Sequence, residues 1–363
     1  MKMLKKSIIL GLLCGLFCSN IFSFASDAAT KDLAPMKNIH YISYSGNTYR
    51  KKNLEAMLEP PIITSLKYNK DKTKITLSWK KIDKATMYFI YKKNKNTWKK
   101  IATTTSTSFT TDIVYKNSNT YTVKAVASFG NTLIYGSYES PGITAPHNDY
   151  SDLNILFEGD SITHGKCGTS GYPDRVQLLL GCHIANYAVN GSTTGPYNNP
   201  SNKDLLYRLE NGITTYKNYD VICIAVGTND YAFNKKLGTA NDTKENKSFN
   251  GYMNSLIKEI RSQNSRAPIV LITPIYRGLR ASVPAGYHEK NTAGYTLGDI
   301  CNTIKEMPNR YDNVYVYDSK SHNIINESNA KDYLYDMLHP NDTGYALIGN
   351  SISVYLKKYI LEA

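Results

Sequence analysis

The sequence predicts an α/β domain whose parallel sheet is covered on both faces, preceded by an all-β sandwich. Three observations predict it. After Pro146, apolar runs of strand length alternate with stretches of helical spacing, the pattern of strands joined by crossover helices. Between Pro60 and Pro146, strand-like runs alternate with period two and are separated by polar turns. Their spacing of roughly ten to fifteen residues is that of an antiparallel sandwich. The composition, 41% hydrophobic and 20% charged over 363 residues, fits a globular chain of about two domains.

The first segment reads as a secretory leader. Lys2, Lys5 and Lys6 precede an apolar run from Ile8 to Phe24, and Ser23 and Ala25 supply small residues for cleavage. Residues 1–25 are therefore expected to be a signal peptide. An uncleaved anchor is the alternative, since the run nears spanning length. Phe17 beside Cys18 is too bulky for a lipoprotein signal. No later segment is apolar enough to span a bilayer, so the expected location is secreted or cell-wall associated. Residues 26–59 read as a spacer of uncertain structure.

In the module 60–146 the predicted strands are Ile75–Trp79, Met87–Tyr91, Ser108–Thr111 and Tyr121–Ala127. Pro61, the strand-ending Trp79 and the Tyr121-x-Val123-x-Ala125 run resemble a fibronectin type III module. That resemblance implies a spacer or binding unit without chemistry.

In the module 147–363 the predicted strands are Ile155–Phe157, Ile184–Tyr187, Val221–Val226, Ile269–Thr273 and Val314–Tyr317. Helical spacing marks Tyr172–Leu180, Tyr252–Gln263, Leu297–Met307 and Thr343–Tyr359. Ligand sites of such sheets lie at the carboxyl ends of the strands, which is where chemistry-bearing residues should be sought.

The first strand runs into Gly159-Asp160-Ser161, and Ser161 is expected to open the next segment with its hydroxyl exposed. The second ends in Asn190-Gly191-Ser192, the third in Gly227-Thr228-Asn229-Asp230. Glycine there lets a backbone N–H approach a ligand, and Asn229 offers a neutral donor. Such donors are what the oxyanion of an acyl-transfer intermediate requires. Near the C-terminus stands Asp336-Met337-Leu338-His339-Pro340. A serine hydroxyl needs a base, and the base needs a partner that fixes its tautomer. Each feature alone is an ordinary turn or cap. Together, in order at the strand ends, they supply nucleophile, donors, base and orienter.

The set resembles the SGNH (GDSL-type) hydrolase family, through GDSIT with Ser161, NG with Gly191, GTND with Asn229 and DMLHP with Asp336 and His339. The resemblance runs from Ser151 to the C-terminus. It implies a flavodoxin-like three-layer α/β/α fold with Ser161 as nucleophile and His339 as general base oriented by Asp336. It also implies an oxyanion hole of the Ser161 and Gly191 amides with the Asn229 side chain. Asp160 and Asp230 read as structural acids. His164 is the other candidate base, badly placed on the nucleophile's own segment.

No cofactor is implied. Cys167, Cys182, Cys223 and Cys301 have no metal-ligand spacing, so no metal site is expected. Cys167 with Cys182 is the candidate disulfide and Cys223 a buried apolar residue. The loop after the fourth strand carries Arg277, Arg280, Tyr287 and His288 toward the site as candidate substrate contacts. They suit sugar hydroxyls, a carboxylate or a lipid phosphate.

The substrate expected is an ester of a short acyl group, with acylated polysaccharide favoured because no long apolar stretch suggests a lipid lid. A lipase or lysophospholipase on the same site is one alternative, and a non-catalytic surface-binding protein is another. The net charge of +13 is unevenly spread. Residues 61–146 hold fourteen lysines, no arginine and four carboxylates, a net of +10, while 147–363 come to −1. The basic module is thus a candidate contact for an anionic cell-wall polymer. Nucleic acid is disfavoured for want of any recognition motif.

Overall fold

The computed structural model describes residues 41–44, 47–69, 73–113, 119–129, 132–139, 142–145, 150, 152–196 and 203–362. The expected leader at 1–25 and the spacer up to residue 40 lie outside them. The rest of the spacer forms an antiparallel hairpin, β1 (Tyr41–Tyr44) with β2 (Asn47–Arg50), and a short helix, α1 (Lys51–Glu55).

Eight strands follow: β3 (Ile63–Tyr68), β4 (Lys74–Trp79), β5 (Met87–Asn94), β6 (Thr97–Thr104), β7 (Ser108–Asp112), β8 (Thr120–Phe129), β9 (Thr132–Tyr138) and β10 (Ile143–Thr144). They form a three-stranded sheet, β3-β4-β7, and a five-stranded sheet in which β10-β8-β5-β6 is the path and β9 also pairs with β8. Period two is visible in β4, where Ile75, Leu77 and Trp79 are buried and their neighbours are not. The Trp79 ring meets Tyr88 of β5 edge-on at 5.4 Å between centroids. By compactness the described residues fall into two units, one drawn from 41–63, 78–109 and 121–142, the other from 64–77, 110–120 and 143–362.

The second unit contains the parallel sheet: β11 (Asn154–Gly159), β12 (His183–Asn186), β13 (Val221–Ala225), β14 (Ile269–Ile272) and β15 (Val314–Tyr317). Their order is β12-β11-β13-β14-β15, every pair parallel. That is the 2-1-3-4-5 order of flavodoxin-like sheets, and its switch point lies between β11 and β13. Central strands are sealed: Ile155, Leu156 and Phe157 on β11 and Ile222 and Cys223 on β13 have no exposure.

The helices are α2 (Ser161–His164), α3 (Tyr172–Leu180), α4 (Leu205–Glu210), α5 (Thr228–Ala232), α6 (Phe249–Gln263), α7 (Leu297–Lys305), α8 (Ser319–His322), α9 (Ala330–Tyr333) and α10 (Asp342–Leu356). α10 packs on α3, and α4 on α6. Parallel neighbours in this order require crossover connections, which the intervening helices supply. The approach of α10 to α3 is close: a Cβ on Gly349 would stand 2.6 Å from that of Arg175.

All four described cysteines are free thiols, so Cys167 and Cys182 are not joined. Cys182 is buried in the apolar core, whereas Cys167 lies on an exposed turn. Cys223 is buried, as its apolar surroundings predict. Among the described residues no helix is long and apolar enough to cross a membrane.

Candidate active site

The turn after β11 is built around a position only glycine fits. A Cβ on Gly159 would lie 2.5 Å from Thr163 Oγ1 and 2.6 Å from the Ala225 carbonyl. Asp160 then caps α2, its Oδ1 accepting from the Ile162 amide at 2.9 Å. Ser161 is the first residue of that helix, so its own N–H has no intrahelical acceptor. It is 7% exposed, more enclosed than the sequence suggests, because its Oγ is held 2.8 Å from His339 Nε2.

His339 and Asp336 come from a turn between Leu334 and Pro340, which bridge to each other. The Tyr335 amide donates to the His339 carbonyl at 2.8 Å. That closure forces Met337 to φ +64°, a left-handed conformation costly for a side chain with a Cβ. Asp336 Oδ2 lies 2.8 Å from His339 Nδ1, and Oδ1 accepts from the His339 amide at 2.8 Å. An unbroken line of hydrogen bonds thus runs from the serine hydroxyl through the imidazole to the carboxylate.

Arg280 extends that line. Its Nη2 is 3.0 Å from Asp336 Oδ2, so this candidate substrate contact is engaged by the carboxylate that holds His339. Burial works to raise the Asp336 pKa, but the His339 bonds and Arg280 outweigh it and hold the group below its ordinary value. For His339, burial lowers the pKa first, Lys166 and Arg280 add to that, and Asp336 opposes. The imidazole is therefore kept neutral, able to take a proton. Arg280 sits on a turn whose tip residues, Ala281 and Ser282, have φ +48° and +63°. Arg277 is buried, and Tyr287 turns inward to donate to the Pro274 carbonyl at 3.2 Å. His288 is exposed.

Gly191, at φ +82°, follows β12 in a conformation suited to glycine. Its loop is tied to the nucleophile turn by the Val189 amide, which donates to the Gly159 carbonyl at 3.0 Å. The Asn229 amide donates to the Ser192 carbonyl at 2.8 Å. One of its two N–H groups is thereby fixed and the other left to donate elsewhere. Asp230 accepts from the Thr194 amide and hydroxyl and faces Lys235 Nζ at 3.8 Å. Burial pushes Asp160 up to about 7 and Asp230 up to about 6. Both serve as internal acceptors for loop backbone, the structural part expected of them. His164 Nδ1 is 3.0 Å from the Ala188 carbonyl, not from Ser161.

Beneath lies a buried network that sequence reasoning missed. Glu158 pairs with Arg208 and accepts from Tyr216 Oη at 3.1 Å, while Arg208 also donates to the Tyr187 carbonyl at 2.7 Å. Among the described residues one set of potential metal-ligand atoms gathers, from Cys167, Asp336 and His339, all within 4.8 Å of one another. Asp336 and His339 are already committed to each other and to Ser161, so the set fits the acid–base chain better than a resident ion.

The GDSL-like Lipase/Acylhydrolase family model matches residues 157–347. A Mycoplasma pneumoniae protein described as uncharacterized is 31% identical over 183 residues, 48% of this chain and 18% of its own length. This chain therefore spans only 18% of that relative. A solved Lactobacillus plantarum protein, 23% identical, superposes with a TM-score of 0.51 over 59% of this chain and 100% of its own. It shares the fold. A Chitinophaga pinensis structure described as a possible lipase is 23% identical, with a TM-score of 0.47 over 57% of this chain and 98% of its own. The family match spans more than half of the sequence and contains every element of the hydrogen-bonded site. The chain belongs to the GDSL-like lipase/acylhydrolase family and carries the fold and family assignment of a carboxylic ester hydrolase.

Proposed function

We propose that the protein hydrolyses esters of short acyl groups through a covalent acyl-enzyme on Ser161. The observation that carries the proposal is the hydrogen-bond chain, 2.8 Å from Ser161 Oγ to His339 Nε2 and 2.8 Å from Nδ1 to Asp336. His339 Nε2 takes the hydroxyl proton as Oγ bonds to the ester carbonyl carbon. The carbonyl oxygen becomes an oxyanion, received by the Ser161 and Gly191 amides and the remaining N–H of Asn229. When the intermediate collapses, the alkoxide leaves with the proton from His339. Water, deprotonated by the same imidazole, then releases the acid and restores Ser161. Asp336 holds the tautomer and stabilises the imidazolium.

In this reading the alcohol part is a carbohydrate and the protein is exported to the cell wall. The N-terminal β region, in its resemblance to a fibronectin type III module, would hold the enzyme on an anionic wall polymer. The net of +10 for residues 61–146 against −1 for residues 147–363 supports this. Retention of the full-length protein on purified wall material should fall with salt. Retention that salt leaves unchanged removes the electrostatic part of the proposal.

The deciding experiment is a panel of esters from acetyl to palmitoyl, including acetylated polysaccharide, with Ser161→Ala as control. Hydrolysis confined to short acyl groups and abolished in the variant is the expected result. Undiminished hydrolysis by pure Ser161→Ala protein ends the serine-esterase reading.

A further inference from the structure

Four cationic side chains of the second unit are buried: Arg175, Arg208, Lys235 and Arg277. Three have visible reasons to be there. Arg175 donates to Asn350 Oδ1 at 2.8 Å. Arg208 pairs with Glu158 and donates to the Tyr187 carbonyl, leaving only Nε over. Lys235 donates to the Gly195 and Pro196 carbonyls and faces Asp230. Arg277 is different. It is 2% exposed, and its Nε and Nη1 are buried without a hydrogen-bond partner among the described residues.

The groups that act on its charge do not neutralise it. They are Tyr231, a phenol, and Arg280, a second cation. An ionised guanidinium withdrawn from water is costly unless paired and hydrogen-bonded. Arginine cannot escape by losing its proton, as a lysine can. A fold that keeps such a group buried and unpaired has a donor set waiting for an acceptor.

Its position says which acceptor. Tyr231 lies on α5, two residues beyond Asn229. On the other side, the Gly278 amide donates to the Met337 carbonyl at 2.7 Å and Arg280 holds Asp336. Arg277 thus stands where the helix of the oxyanion donor approaches the loop of the base. Asp336 pairs with Arg280, whereas no carboxylate is among the groups that act on the charge of Arg277.

We infer that Arg277 determines specificity by receiving an oxyanion, a carboxylate or a phosphate, carried by the ester substrate. The inference rests on the esterase reading above and narrows its substrate class from esters to anionic esters. Guanidinium–oxyanion pairs are the strong, charge-assisted kind of hydrogen bond, so selectivity here should be large.

The test compares phenyl acetate with three anionic relatives. These are 4-acetoxybenzoate and 4-acetoxyphenyl phosphate, charged on the alcohol side, and monophenyl succinate, charged on the acyl side. The wild type should prefer at least one of them over phenyl acetate by about 10- to 100-fold in kcat/KM, chiefly through KM. Which one it prefers identifies carboxylate or phosphate and the side that carries it. In Arg277→Met that preference should fall about tenfold or more, and Arg277→Lys should restore part of it by keeping the charge. Equal use of the neutral and all anionic esters, or a preference that survives in Arg277→Met, overturns the inference.

A binding arm guards against a variant that does not fold and against failure of the esterase reading itself. Folded Ser161→Ala protein is titrated calorimetrically with benzoate, succinate and phenyl phosphate. One of them should bind, and more weakly after Arg277→Lys is added. Binding by none sinks the anion site whatever the catalytic result. Absence of any hydrolysis, phenyl acetate included, with anion binding intact would instead sink the esterase reading alone.

Discussion

The Ser161 side of this site, the proposed nucleophile side, and the His339 side, the proposed base side, are built by different means. Ser161 and Asn229 stand in the first turns of α2 and α5, just past the ends of β11 and β13, where the sheet dictates the geometry. There Gly159 packs without room for a Cβ, Asp160 caps the helix, and the loop of Gly191 is tied to the Gly159 carbonyl. Asp336 and His339 stand on a turn between the short helix α9 and the long helix α10. That turn is closed by Tyr335 on His339, bent at Met337, and braced from outside by Arg280. Strain and side-chain bracing do there what strands do on the other side. Changes on the sheet side should therefore break the chemistry outright, while changes on the base side should adjust it.

The largest effect is expected on the sheet side. Ser161→Ala should lower kcat by roughly 10³-fold or more while the circular-dichroism spectrum and Tm stay near those of the wild type. Substantial residual turnover would erase the distinction between the two sides. Asn229→Ala should lower kcat by about 10²–10³-fold with little change in KM, because the donor serves the transition state. Its bond to the Ser192 carbonyl adds a second reading: an increase in KM alone would make Asn229 a loop tie rather than an oxyanion donor.

On the base side the effects should be graded. Arg280 lowers the His339 pKa and supports the Asp336 carboxylate. Arg280→Gln removes a positive charge that disfavours imidazolium, so the His339 pKa should rise. The acid limb of kcat/KM then moves to higher pH. The loss should be about tenfold or less below neutrality and smaller at pH 8, since a base already neutral gains nothing from the charge. A uniform loss at every pH would mean that Arg280 acts by packing and not by charge. The smallest effect concerns the turn that carries it. Replacing Ala281-Ser282 with Asn-Gly suits two consecutive left-handed positions and should stabilise the fold by about 0.5–1 kcal/mol. An unchanged or lowered Tm would show that the strain is not local.

Most of the parallel sheet was legible because its strands are sealed, as Ile155–Phe157 illustrates. The α3 boundaries, Tyr172–Leu180, are those the helical spacing predicts, and Gly171 and Gly181 cap its two ends. β6 escaped notice because its buried positions are only partly covered and are filled by Trp98, Lys100, Ala102 and Thr104 in place of an apolar row. The residues of the Ser161–His339–Asp336 hydrogen-bond chain and the strand-end turns could be picked out from local motifs. The bracing of Asp336 by Arg280 could not, since the two are distant in sequence and meet only through the tertiary fold. The same holds for Glu158 and Arg208. Arg277 was legible as a candidate contact, but its missing partner is a property of the packed interior alone.

The bond between Ser161 and His339 spans 178 positions of the chain. The serine arrives with the first strand of the parallel sheet, and the histidine only after the last. Chains are made from the N-terminus onward and domains fold as units, so a growing chain displays the Ser161 turn well before its base exists. A serine without a base is a feeble nucleophile. On the proposed mechanism the fold is thereby its own timer, assembling the Ser161–His339 pair only once the turn preceding α10 has been synthesised and that helix has docked on α3. A chain cut short before residue 339 would be chemically silent toward esters, however well its first strands had formed.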